Sequence, residues 1–122
     1  MIYIIDDDKS VRRSFELLLI SAGLTCKSYA GAKEFLDEYR QDEGDILILD
    51  IHMPDIDGCE LLSILKNKNI IIPVIVITAY DEQESRKCAK DYGAIEYLLK
   101  PIDGDTIIEL IMHHINNSNK VF

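Results

Sequence analysis

The chain has 122 residues, which is the size of one ordinary domain. Its formal net charge of −9 argues against unaided binding to nucleic acid or to an anionic membrane surface. No apolar run approaches the roughly 20 residues of a membrane-spanning helix, and the N terminus lacks the basic start and cleavage site of a signal peptide.

Apolar runs and helical periodicities alternate along the whole chain. Ile2–Ile5 is a short apolar run, and the apolar residues of Lys9–Ala22 then recur at helical spacing until Gly23 ends the pattern. The remaining predicted strands are Leu24–Ser28, Ile46–Leu49, Val74–Ile77 and Ile95–Leu99. The remaining predicted helices are Ala32–Tyr39, a helix from Gly58 that Asn67-Lys68-Asn69 breaks, Gln83–Tyr92 closed by Gly93, and about Asp103–Ile115.

The third strand is the most informative element. Four consecutive aliphatic residues, Ile46–Leu49, predict a strand of a parallel sheet that is buried on both faces. Asp50 follows at once, and burying it without a partner would cost several kcal/mol. The cost is avoided if Asp50 lies at the carboxyl edge of the sheet, where open α/β sheets bind their ligands. Asp50 could also simply end the strand.

Five strands alternating with five helices predict an α/β domain with a parallel sheet covered on both sides. This domain is assigned to residues 1–117, and residues 118–122 to a tail or the start of a linker. The polar stretch from Asn116 onwards has the composition of such a tail.

Side chains that can carry chemistry follow four of the predicted strands. They are Asp6 and Asp7 after the first, Asp50 after the third, Thr78 after the fourth and Lys100 after the fifth. Parallel strands end at the same edge, so these groups should converge there. Crowded carboxylates need a cation to stay ionised, and oxygen ligands favour Mg²⁺. A hydroxyl and an ammonium beside such a site suit a phosphoryl group, and a carboxylate there can attack phosphorus.

With these residues in place, the chain resembles the receiver domain of two-component response regulators over essentially its whole length. The resemblance rests on Asp6-Asp7, Asp50 followed by Met53-Pro54 and Asp57-Gly58, Thr78-Ala79, and Lys100-Pro101. The Ile5-Asp6-Asp7-Asp8 run and the Met-Pro-Asp loop are similar to the nitrogen-fixation transcription regulators of that family. The resemblance implies a doubly wound, flavodoxin-like three-layer α/β/α sandwich with strand order 2-1-3-4-5.

The resemblance also implies roles for the site residues. Asp50 would accept a phosphoryl group from a phosphohistidine on a sensor histidine kinase. Asp7 would ligate Mg²⁺ directly, Asp6 would act close to the ion or through water, and the His52 backbone carbonyl would complete the protein's ligands. Lys100 would pair with the phosphoryl oxygens.

The switch residues follow from the same resemblance. Thr78 would move towards the phosphoryl group, and Tyr97 would rotate into the space that it frees. The Lys100-Pro101 bond is expected to be cis, and Tyr80 and His52 hold positions that tune phosphate lifetime. The fourth helix, fifth strand and fifth helix would form the altered surface, for an output domain or for a homodimer.

Several residues have other interpretations. Asp8 is expected to start a helix rather than to bind metal, and His113-His114 to lie at the surface. The chain has three cysteines, an odd number, and their spacing is not that of a metal site. Cys26, Cys59 and Cys88 are therefore expected to be packing residues in a reducing cytoplasm.

Two other functions compete with the phosphorylated switch. A degenerate receiver would bind partners without phosphorylation, but the five site residues are all present. A phosphatase with an aspartyl nucleophile would usually carry a second acid two residues later, where this chain has His52.

Overall fold

A computed structural model describes residues 1–42 and 44–118 of the chain. Five strands and five helices alternate within these residues. The strands are β1 (Ile2–Ile5), β2 (Cys26–Tyr29), β3 (Ile46–Asp50), β4 (Val74–Thr78) and β5 (Glu96–Leu99). The helices are α1 (Lys9–Ser21), α2 (Ala32–Glu38), α3 (Gly58–Asn67), α4 (Gln83–Tyr92) and α5 (Gly104–Ser118).

The five strands form one parallel sheet in the order β2-β1-β3-β4-β5. The order reverses direction between β1 and β3, so the loops after these two strands diverge and leave a crevice at the carboxyl edge. The predicted fold class and strand order are both confirmed.

Alternate residues of the central strands enter two separate apolar layers. Ile46 and Ile48 pack with α1 and α5, whereas Leu47 and Leu49 pack with the helices of the opposite face. Every residue of β3 and β4 is buried. This burial on both faces explains why the strands are continuous aliphatic runs rather than alternating ones.

Two predicted boundaries were wrong by more than one residue. The predicted second strand began at Leu24, but the Leu24 amide donates to the Leu19 carbonyl at the end of α1. That bond makes Leu24 part of the helix end, so β2 starts only at Cys26. At the other end of the chain α5 continues to Ser118, so residues 116–118 are helical and not a tail. Residues 119–122 lie outside the described residues.

The cysteine prediction was wrong for two of the three residues. Cys59 of α3 and Cys88 of α4 are joined by a disulfide, with Cα atoms 5.8 Å apart. They are 29 residues apart in sequence, and only the packing of the two helices brings them together. Cys26 is free and packs against the α1 and α5 layer, as expected. Within the part of the chain that the structure describes, no helix is long and apolar enough to cross a membrane.

Candidate functional site

The carboxyl ends of β1, β3 and β5 bring four charged side chains together. One carboxylate oxygen from each of Asp6, Asp7 and Asp50 lies within 4.8 Å of the others. The Lys100 ammonium donates to Asp6 Oδ2 at 2.8 Å and to Asp50 Oδ2 at 3.5 Å. The peptide bond between Lys100 and Pro101 is cis. The structure thus brings the predicted acids and the predicted lysine to one point.

Backbone hydrogen bonds orient the buried carboxylates of this cluster. Asp6 is fully buried, and its Oδ1, the oxygen that does not contact Lys100, accepts from the Asp8 amide at 2.9 Å. Asp50 is 3% exposed, and its Oδ1 accepts from the His52 amide at 3.2 Å. Asp7 is exposed at the mouth of the cluster. The three acids therefore differ in access: Asp6 is enclosed and Asp7 faces solvent.

The cluster only partly stabilises the negative charge of Asp50 beside that of Asp6. Burial and the nearby Asp6 carboxylate raise the pKa of Asp50 to about 6, although Lys100 and the His52 amide oppose the shift. Burial alone would lower the pKa of Lys100, but Asp6 and Asp50 outweigh it and raise that pKa. One ammonium thus stabilises two buried carboxylates only in part, and an added cation would relieve the repulsion.

Asp8 and Asp57 are helix caps rather than members of the cluster. Asp8 accepts from the Ser10 and Val11 amides at the start of α1, which confirms the prediction for Asp8. Asp57 accepts from the Glu60 amide at 2.8 Å at the start of α3. Both caps fix the direction in which a helix leaves the site.

Gly58 allows α3 to begin directly against the end of β3. A Cβ atom on Gly58 would lie 2.7 Å from Ile51 Cα and 2.8 Å from the Asp50 carbonyl oxygen. The Gly58 amide donates to the Ile51 carbonyl at 2.8 Å. Any larger residue would push the β3–α3 loop (51–57) away from Asp50.

The two predicted switch residues lie on neighbouring strands, Thr78 at the end of β4 and Tyr97 on β5. Thr78 is fully buried, and its hydroxyl bonds with the backbone of Tyr80 rather than with an acid of the cluster. Tyr97 is half-buried, and burial, reinforced by the nearby Asp81 carboxylate, raises its pKa. The structure therefore places Thr78 in contact with the β4–α4 loop (79–82).

His52 and Tyr80 connect the two loops that follow β3 and β4. Their rings meet edge to face, with centroids 5.6 Å apart. His52 Nε2 also lies 3.4 Å from a Glu82 carboxylate oxygen. These contacts join the β3–α3 loop to the β4–α4 loop.

Two arginines contact residues of the site, although no sequence motif indicates them. Arg12 of α1 donates to the Asp6 carbonyl at 2.8 Å. Arg86 of α4 lies over the Tyr97 ring, 4.8 Å from its centroid, and also donates to Asp81 at 2.8 Å. Both contacts depend on tertiary packing, so the local sequence could not have indicated them.

Comparison with known proteins gives one consistent result. Residues 2–112 match the family model described as the response regulator receiver domain. The chain is 35% identical over 117 residues to the DNA-binding transcriptional regulator NtrC of Escherichia coli K12, covering 96% of this chain and 25% of NtrC. It is 34% identical over 110 residues to the transcriptional regulatory protein FixJ of Rhizobium meliloti, covering 90% of this chain and 54% of FixJ. The chain thus spans between a quarter and about half of the length of these relatives.

Solved structures agree with the sequence relatives. The response regulator StyR superposes with a TM-score of 0.87 at 33% identity, over 95% of this chain and 59% of that one. A CheY-like receiver domain protein from Methanospirillum hungatei gives 0.86 at 27% identity, over 95% and 93%. The N-terminal part of FixJ gives 0.80 at 31% identity, over 99% and 95%. Each superposition covers at least 95% of this chain.

Proposed function

The chain belongs to the family of response regulator receiver domains, and on that premise we propose that Asp50 accepts a phosphoryl group from a phosphohistidine of a sensor histidine kinase. The reaction makes the domain a switch in a two-component pathway. The observation that carries the proposal is the placement of the Lys100 ammonium between the carboxylates of Asp6 and Asp50, with Asp7 in the same cluster.

The phosphoryl transfer uses the Asp50 carboxylate as nucleophile. A carboxylate oxygen forms a bond to phosphorus while the bond from phosphorus to the histidine nitrogen breaks, which leaves an aspartyl phosphate. Lys100 lies 3.5 Å from that carboxylate and is placed to pair with a phosphoryl oxygen. The His52 amide already donates to Asp50 Oδ1 and holds the carboxylate in orientation.

The acidic cluster fits a divalent cation. Three carboxylates within 4.8 Å supply hard oxygen ligands. Burial, and after it the charge of Asp6, raises the pKa of Asp50, and a bound cation would offset both effects. Both oxygens of Asp6 already accept hydrogen bonds, so Asp7 and Asp50 would hold Mg²⁺ directly, with Asp6 beside it and the His52 carbonyl as a further ligand. Bound Mg²⁺ would neutralise negative charge on the carboxylate and phosphoryl oxygens.

The conformational response begins at Thr78. Its hydroxyl bonds with the Tyr80 backbone, and a phosphoryl oxygen on Asp50 offers it a stronger, charged acceptor. Movement of Thr78 towards that acceptor draws the β4–α4 loop inward and opens space for Tyr97. The surface formed by α4, β5 and α5 then changes for an output domain, an output protein or a second copy of the chain.

The relatives suggest the wider role. NtrC and FixJ are named as transcriptional regulators, and each is longer than this chain. We therefore propose that the domain acts in the cytoplasm and controls transcription through an attached or separate output, without contacting DNA itself.

The proposal is tested by incubating the protein with Mg²⁺ and acetyl phosphate and measuring its intact mass. A single phosphoryl adduct is expected, and it should be lost in Asp50→Ala or when EDTA removes the metal. Asp8→Ala is the matched control, because Asp8 is a neighbouring acid that caps α1, and it should still be labelled. An unlabelled wild-type protein would instead support the degenerate receiver, and rapid repeated turnover of acetyl phosphate would support a phosphatase.

A further inference from the structure

The Cys59–Cys88 pair connects two helices that have different attachments to the site. Cys59 lies in the first turn of α3, next to Gly58, whose backbone packs against the end of β3. Cys88 lies on α4, two residues after Arg86, which contacts both Tyr97 and Asp81. A covalent bond between them therefore joins the β3–α3 side of the site to the helix that follows the β4–α4 loop.

The position of Cys88 determines which part of α4 the bond restrains. The C-terminal end of α4 is already held to the segment just before β4, because the Tyr92 hydroxyl donates to the Ile72 carbonyl at 3.0 Å. Cys88 lies one turn nearer the N terminus of the helix and adds a second attachment, to α3. With both attachments in place, α4 cannot pivot about its C-terminal end when residues 79–82 are drawn inward.

We propose that Cys59 and Cys88 form a reversible, thiol-dependent tether that restrains α4 and so weakens the response of the domain to phosphorylation. The inference rests on the proposed function and adds a second input to the same switch. Linkage makes the coupling reciprocal: a disulfide that disfavours the phosphorylated conformation is itself reduced more readily in the phosphorylated protein.

The chemistry needs a two-electron oxidant, and a low-molecular-weight disulfide such as glutathione disulfide supplies it. One cysteine thiolate attacks that disulfide and releases one glutathione thiolate, which leaves a mixed disulfide on the protein. The second cysteine, as its thiolate, then attacks the protein sulfur of the mixed disulfide and releases the other glutathione thiolate. The two protein thiols thus lose two protons and two electrons, and the glutathione disulfide is reduced to two thiols.

Cys26 provides the internal control. It lies on β2 and packs in the apolar layer with α1 and α5, on the face of the sheet opposite the layer that Cys59 and Cys88 join. It is free in the structure. Cys26→Ser should therefore leave both the cross-link and its effect on the switch intact.

The first measurement establishes the pairing. Protein equilibrated in glutathione redox buffers is alkylated and analysed by peptide mass spectrometry, for wild type and for Cys26→Ser. A linked pair of peptides containing Cys59 and Cys88 is expected in both, and it should disappear in the reduced buffer. Three alkylated cysteines in the oxidising buffer, or a link through Cys26, would overturn the proposal.

The second measurement tests the coupling. Beryllofluoride with Mg²⁺, a stable mimic of the phosphoryl group, is titrated into reduced and oxidised Cys26→Ser protein, while amide NMR signals of α4 are followed. The oxidised protein should bind the mimic at least about fivefold more weakly, the lower end of common allosteric couplings, with smaller shifts in α4. Cys88→Ser should bind equally in both buffers, with the affinity of the reduced protein.

The outcomes separate this inference from the proposed function. Equal affinities and equal α4 shifts in the reduced and oxidised proteins would overturn the tether and leave the phosphorylation switch standing. Failure of both redox forms to bind the mimic would overturn the switch, and the tether with it.

Discussion

Replacing Asp50 by Asn should stabilise the metal-free protein, because the substitution removes a poorly stabilised charge. Burial and the Asp6 carboxylate raise the pKa of Asp50 from 3.8 to about 6. A shift of about two units corresponds to about 3 kcal/mol of unfavourable free energy for the ionised form. Lys100 keeps its closer partner Asp6, at 2.8 Å, so the variant leaves no ammonium unpaired. We expect Asp50→Asn to raise the free energy of unfolding by about 1–3 kcal/mol at pH 8.

The pH dependence gives the sign of the effect. The pKa of Asp50 is raised on folding, so the folded protein holds this proton more tightly than the unfolded chain. Well below pH 3.8 the group is protonated in both states and contributes no penalty. The penalty grows as the pH rises towards 6 and is complete above it. The advantage of Asp50→Asn should therefore be much smaller at pH 4 than at pH 8, and largest at pH 7–8.

Urea unfolding in EDTA measures this advantage directly. Glu109→Gln, the same loss of one charge at an exposed position of α5, should change stability by less than about 0.5 kcal/mol. Adding Mg²⁺ should stabilise the wild type, by about 2.7 kcal/mol at a hundredfold excess over its dissociation constant, and should stabilise Asp50→Asn much less. An Asn variant that is no more stable than the wild type at pH 8, or equally more stable at pH 4 and 8, would refute this electrostatic account.

Two further substitutions test other parts of the site. Gly58→Ala should lower the free energy of unfolding by about 1–3 kcal/mol in urea titrations, because its Cβ would lie 2.7 Å from Ile51 Cα. Gly31→Ala is the control and should change the free energy of unfolding far less, because its Cβ meets only the flexible end of a Glu34 side chain. Equal losses in the two variants would contradict the packing argument. Lys100→Met should tighten Mg²⁺ binding in calorimetric titrations, because it removes a competing cation. The same substitution should slow labelling of the protein by acetyl phosphate by about tenfold or more. An unchanged labelling rate would show that the ammonium has no part in the transfer.

The sequence predicted the fold well because each strand and helix carries a strong local pattern. β3 and β4 are unbroken aliphatic runs buried on both faces, and α4 has the predicted bounds Gln83–Tyr92 with Gly93 in a left-handed conformation at its end. Boundaries were missed where a residue serves a neighbouring element, as Leu24 does at the end of α1. They were also missed where the helix continues with polar residues: Asn117 bonds to His113 in the last turn of α5.

The acids and the lysine of the site could be anticipated because they immediately follow strands that end at one edge. The contacts that α4 makes with its neighbours could not. The Arg86–Tyr97 stacking and the Cys59–Cys88 bond depend on how α4 packs against its neighbours, and no local pattern encodes that packing. The structure therefore adds to the sequence chiefly at α4, the element that the proposed switch is expected to move.

The most direct test of the account is chemical identification of the phosphorylated residue. Protein treated with acetyl phosphate and Mg²⁺ is reduced with borohydride, which converts an aspartyl phosphate to homoserine, and is sequenced by tandem mass spectrometry. The account predicts homoserine at position 50 and at no other aspartate, with none formed in EDTA. Homoserine at Asp6 or Asp7, or an unmodified Asp50 in a protein that carries the phosphoryl group, would contradict it.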